Sequence, residues 1–94
     1  MGAIDSLLTV INNIEDEKEL MNLNVELGWR YLDVNDAQAY EYSIRGFELA
    51  NQFGDSASMI KSGRVAGQAL RRLDRVQESI DILRQVLQIA KRNR

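Results

Sequence analysis

The stretch Ala39-Tyr-Glu-Tyr-Ser-Ile-Arg-Gly-Phe-Glu-Leu-Ala50 decides the fold, because its pattern returns forty residues later as Ser79-Ile-Asp-Ile-Leu-Arg-Gln-Val-Leu-Gln-Ile-Ala90. Small or apolar residues coincide at Ala39/Ser79, Gly46/Val86, Phe47/Leu87, Leu49/Ile89 and Ala50/Ala90. A shift of 39 aligns the stretch that precedes each: Asp16 with Asp55, Met21 with Ile60, Gly28 with Gly67, Tyr31 with Leu70. A period of this length marks an array of helical hairpins, in which one unit cannot bury its apolar face alone and must stack on a neighbour.

Working outward, apolar residues recur at spacings of three and four throughout, and no segment alternates as a strand would. The spacing predicts five helices, at about 3–13, 16–34, 37–53, 57–73 and 76–91. Glu15, Asp16 and Glu17 crowd the start of the second helix, where the helix dipole favours negative charge. Asp36 is expected to cap the third helix, and Asp55 or Ser56 the fourth. Gly54 suits the left-handed residue after the third helix. In the fifth helix the expected buried stripe is Val76, Ile80, Leu83, Val86, Leu87 and Ala90, so Leu83→Asp is expected to unfold the array. Ile82 and Ile89 then fall on its open side. Loops of two to three residues make consecutive helices antiparallel neighbours. The reading is one all-α domain over 1–94, with a leftover or capping helix at 3–14, a first hairpin at 16–53 and a second at 55–92.

Ninety-four residues allow one small domain of modest stability. The chain has no cysteine, hence no disulfide framework or thiolate metal site, which fits a reducing, cytoplasmic setting. It has no histidine, the commonest general base and metal ligand. Its serines therefore have no imidazole to activate them, and Gly63 and Gly67 lie inside a helical pattern rather than a phosphate loop. No enzymatic activity, cofactor or metal is expected. No apolar run approaches a membrane span, and Met1-Gly-Ala-Ile-Asp-Ser has no basic segment ahead of an apolar one, so no signal peptide is expected. The net charge of −2 hides a split: residues 1–55 hold eleven acids against three bases, and residues 56–94 three acids against nine bases. The acidic half argues against nucleic acid as a partner.

These residues resemble the tetratricopeptide repeat family, whose hairpins place small residues at fixed points so that adjacent helices approach closely. The first hairpin supplies Leu27-Gly28, Tyr31, Ala39, Ser43 and Gly46; the second supplies Ala66-Gly67, Leu70, Ser79, Leu83 and Val86. The likeness spans about residues 16–94 and is to a long-repeat variant, with a period of about 40 rather than the usual 34. Asn24 and Gly63 stand where the family carries an early tryptophan, and Val86 where it carries a small residue. The resemblance implies a right-handed superhelix of stacked hairpins, an α-α solenoid, and a protein-interaction role. A helical-hairpin array of another family is the alternative.

In that family the first helix of each hairpin lines a concave face. Carried over by position, this face holds Asn22, Val25, Trp29, Leu32 and Asp33 from one hairpin and Lys61, Arg64, Gln68, Arg71 and Arg72 from the next. Lys61, Arg64, Gln68 and Arg71 recur at three and four, so they share one side of a helix. Facing Trp29, such a basic row suits an acidic segment or a C-terminal carboxylate, unless it simply meets solvent or pairs with acids such as Glu26. A second expectation is self-association, as the dimerisation module of a larger signalling or regulatory protein, through apolar end faces and the charge split.

Overall fold

The computed structural model describes residues 2–93. They form five α-helices: α1 (Ala3–Ile11), α2 (Glu17–Tyr31), α3 (Asp36–Phe53), α4 (Ser56–Arg72) and α5 (Val76–Arg92). Each helix packs on the next in chain order, α4 also reaches back to α2, and α1 touches α2 alone. The result is a stack of helical hairpins in a slab 36 × 29 × 16 Å, and no helix among the described residues is long and apolar enough to cross a membrane.

Side-chain caps and left-handed residues set the helix ends. The Asp16 carboxylate accepts from the backbone N–H of Lys18 at 3.0 Å, and Asp55 accepts from that of Ser58 at 3.1 Å. Asn35, not Asp36, caps α3: its side chain accepts from the Gln38 N–H at 3.1 Å. Both residue types can supply the oxygen, but Asn35 holds the extended backbone a cap requires while Asp36 is already helical. The chain then leaves α2, α3 and α4 through Asp33 (φ 75°), Gly54 (φ 67°) and Asp74 (φ 61°). α2 stops at Tyr31, short of the predicted 34, because Leu32 turns out of the helix (ψ 132°) and Asp33 follows in the left-handed region, which cannot continue a right-handed helix.

The core is built from small residues where helices cross and larger ones between the crossings. Met21, Leu27, Ala39, Ala50, Ala66 and Ala69 are fully buried. Phe47, Ala66, Leu70 and Ile82 form one cluster, with Tyr40, Ile44, Met59 and Ile89 packed around it. A β-carbon at Gly28 would lie 2.8 Å from the Ser43 backbone nitrogen; one at Gly46 would lie 2.7 Å from the Val25 side chain. In the second hairpin a β-carbon at Gly63 would collide with the Val86 side chain, and one at Gly67 would meet Leu83 at 2.6 Å. The sizes are exchanged between the hairpins. Val25 of α2 sits on Gly46 of α3, whereas Gly63 of α4 makes room for Val86 of α5. Gly63 therefore explains why a valine stands at 86 where a small residue was expected. Ser43, Ser62 and Ser79 are buried too. Ser43 and Ser62 donate to carbonyls of their own helix (Tyr40 O, 3.1 Å; Ser58 O, 2.6 Å), and Ser79 donates across to Gly67 O at 2.7 Å, tying α5 to α4.

The predicted stripe of α5 is rotated. Ser79, Ile82 and Val86 are the buried residues, and Ile89 packs at the cluster's edge. Val76, Ile80, Leu83 and Leu87 are exposed by 51%, 39%, 40% and 56%, and Ala90 is exposed as well. Both sides of α5 carry apolar residues at helical spacing, so periodicity alone could not choose between them. Gly63 favours the observed choice by receiving Val86, while Leu83 reaches over Gly67 at the rim of the interface. Leu83→Asp therefore places its charge at a half-exposed rim rather than in the core, and the expectation that it unfolds the array is withdrawn.

Gly28→Ala should destabilise the protein by about 1–3 kcal/mol, the usual cost of overpacking, even though alanine is the better helix former. Urea unfolding reads this out; a variant as stable as the wild type would show that α2 and α3 do not meet this closely. Asp55 gives a pH test. Hydrogen bonds from the Ser58 backbone N–H and then its hydroxyl hold the Asp55 carboxyl below its ordinary value. A group with a lowered folded pKa contributes stability above its unfolded pKa of about 3.9, and loses it as the pH falls through the folded value. Asp55→Asn keeps the accepting oxygen and cannot titrate, so its stability should fall less steeply in that acid window.

Candidate functional site

α2 and α4 lie side by side, and their outward residues enclose a hollow of about 370 Å³. Trp29 of α2 and Leu32 just after it form one wall; Ile60, Lys61, Arg64 and Gln68 of α4 form the other. Arg64 and Gln68 also line a second hollow of about 200 Å³ with Gly67, Arg71, Ser79 and Leu83, so these two side chains border both. The combined surface runs from an indole on α2, over a basic row, to an aliphatic rim on α5.

Most of the residues expected on this face come together. Trp29, Lys61, Arg64 and Gln68 line the larger hollow, and Arg71 the smaller. Asn22 is exposed on α2 but borders neither. Val25 is 5% exposed and packs on Gly46, so it offers a partner nothing. It lies four residues before Trp29, yet α3 covers its side of the helix. Asp33 borders a further hollow of about 260 Å³ beside Trp29 and is engaged by the Arg72 guanidinium, which also lies 3.5 Å from Asp36 Oδ1. Arg72 is thereby a clamp between the end of α4 and the α2–α3 turn. The Asp36 oxygen is buried with no hydrogen bond, so this charge contact is its compensation.

The charges along the rim differ in how fully they are used. Glu26 accepts from Arg30 Nε at 2.9 Å and lies 3.8 Å from Lys61 Nζ, so the pairing of this row with α2 acids holds for Lys61. Arg30 in turn lies over the Trp29 ring at 5.2 Å, which steadies an indole that is 50% exposed. Among the described residues, neither Arg64 nor Arg71 takes part in an ion pair. Two guanidinium groups with free donor forks can each take a carboxylate in a bidentate hydrogen bond, and Trp29 with Leu32 offers an apolar face beside them. No group of three or more His, Cys, Asp or Glu side chains suited to a metal ion occurs among the described residues.

Leu83 is the contributor that sequence reasoning misplaced, since it was assigned to the buried stripe of α5. The pairing of Gly67 with position 83 was the available signal: forty residues earlier, Ser43 fills the same place against Gly28. Compared with known proteins, the chain matches no protein-family model, no curated protein and no solved structure.

Proposed function

We propose that this chain is a tetratricopeptide-like interaction module, without enzymatic activity, that holds an acidic peptide or protein segment between Trp29 and the basic row of α4. The observation that carries the reading is the convergence of Trp29, Lys61, Arg64 and Gln68 on one hollow, with Arg64 and its neighbour Arg71 free of acidic partners among the described residues. A segment rich in Asp or Glu, or one ending in a free carboxylate, would take the guanidinium forks and lay an apolar side chain on the indole. The tetratricopeptide likeness rests on Leu27-Gly28 with Tyr31 and on Ala66-Gly67 with Leu70, whose glycines both face close neighbours on the next helix, Ser43 and Leu83. The absence of histidine and cysteine from the sequence supports a binding rather than a catalytic role.

Trp29 is the chain's one tryptophan, so its fluorescence reports the hollow directly. A short acidic peptide titrated into the protein should change that emission saturably. Arg64→Glu combined with Arg71→Glu should weaken binding by about tenfold or more, with an unchanged far-ultraviolet circular dichroism spectrum. Wild-type affinity in that double variant would remove the hollow as the binding site.

A further inference from the structure

α3 and α5 are equivalent helices of the internal repeat, and α5 exposes part of what α3 keeps covered. On α3, Ala39 and Gly46 are buried on one side, and Tyr40, Ile44 and Phe47 are covered on the other mainly by α4, through Ala66 and Leu70, with Ile82 of α5 at the cluster's far edge. Forty residues on, Ser79 and Val86 repeat the first side and are buried in the same way. The residues that repeat the second side are Ile80 for Tyr40, Arg84 for Ile44 and Leu87 for Phe47, so a base stands at the edge where α3 carries a covered isoleucine. Phe47 is 9% exposed under its cover, whereas Leu87 is 56% exposed. With Val76 and Leu83, these residues make an apolar stripe at spacings of four, three and four along α5. What lies over the corresponding side of α3 is a helix, and an apolar stripe at this spacing is the seat of one.

The charges around the stripe select the kind of helix. Arg84 and Lys91 stand four residues after Ile80 and Leu87, so they flank the same face of α5, and both are exposed. Arg71 borders it from α4, in the hollow it shares with Leu83. Among the described residues none of these three bases takes part in an ion pair. The acids of α5 lie elsewhere: Glu78 and Asp81 border the crevice on the α3 side with Tyr40 and Phe47. A second copy docked symmetrically, α5 on α5, would bring basic row against basic row.

We propose that the Val76–Ile80–Leu83–Leu87 stripe is the docking seat for an amphipathic α-helix of a partner protein, apolar on one face and acidic along both flanks. It occupies on α5 the place that α4 occupies on α3. This seat adjoins the Trp29 hollow and shares Arg71 with its basic row, but Ile80 and Leu87 line only the seat and Trp29 only the hollow, so variants at those positions test the two apart.

The test uses a labelled 17-residue helical peptide, the length of α5, with leucines spaced to match the stripe and glutamates on both flanks. A twin peptide carries lysines in place of the glutamates. Fluorescence anisotropy should show saturable binding of the acidic peptide, and binding weaker by about tenfold or more for the lysine twin. Ile80→Gln combined with Leu87→Gln should weaken the acidic peptide by a similar factor. Both positions are exposed, so this variant keeps its fold, as circular dichroism checks. Trp29→Ala should leave the helical peptide bound, which separates this seat from the hollow. No binding of the acidic peptide, equal binding of the twin, or wild-type binding by the double variant would each overturn the proposal. So would a dimer, seen by light scattering, that the double variant converts to a monomer, since the seat would then belong to a second copy of the chain.

Discussion

Gly28 brings α2 so close to α3 that a β-carbon there would lie 2.8 Å from a backbone nitrogen, and backbone does not yield as a flexible side chain does. That contact fixes the separation of the first two long helices, and the rest of the stack inherits it. Gly46 receives Val25 at the same interface, Phe47 is left facing α4, and Gly63 meets both Phe47 and Val86. Each helix is thus seated by a small residue on one side and offers a larger one to the next. Glycine inside a helix costs about 1 kcal/mol relative to alanine. Four such positions in so short a chain are sustained because close approach brings buried surface that an alanine would hold apart.

The same constraint positions the outward residues. Once α4 is seated beside α2 and against α3, Lys61, Arg64 and Gln68 must project beside Trp29 and Leu32. Arg72 secures that placement by gripping Asp33 and Asp36 at the α2–α3 turn. Arg75 adds a second tie, lying over the Tyr40 ring at 4.7 Å while hydrogen-bonded to Glu78. The uneven charge of the chain acquires a spatial meaning here. Part of the basic surplus of the C-terminal half is spent on acids of the N-terminal half, through Lys61 with Glu26 and Arg72 with its two aspartates. The remainder collects around Arg64, Arg71, Arg84 and Lys91, beside apolar groups that no other helix covers.

The stacked hairpins were legible because the forty-residue repeat carries the crossing points themselves, Ala39 with Ser79 and Gly28 with Gly67. Helix ends were legible where one residue type dominates the geometry, as at Gly54 and Asp55. They were less so at Asn35-Asp36, where two neighbours can both cap. The rotation of α5 was hidden, since a helix with apolar residues on two adjacent sides has no single preferred face until its partner is known. In the candidate site, the basic row of α4 could be read from spacing alone because charged side chains must reach water. Val25 was misread because a helix surrounded on several sides buries more than one stripe, and only the identity of Gly46 across the interface decides which. The pairing of small with large across an interface was the signal with the most information, and it requires comparing the two hairpins rather than reading either one.

A double-mutant cycle at Gly63 and Val86 tests the claim of complementary sizes most directly. Gly63→Ala places a methyl against Val86, and Val86→Ala leaves a void against Gly63, so each change alone should lower the urea midpoint. Together they exchange one fit for another. The two should then couple favourably by about 1 kcal/mol or more, the double variant being clearly more stable than the sum of its parts. Strict additivity would contradict the account, because it would mean that α4 and α5 are not held at the distance these two residues set.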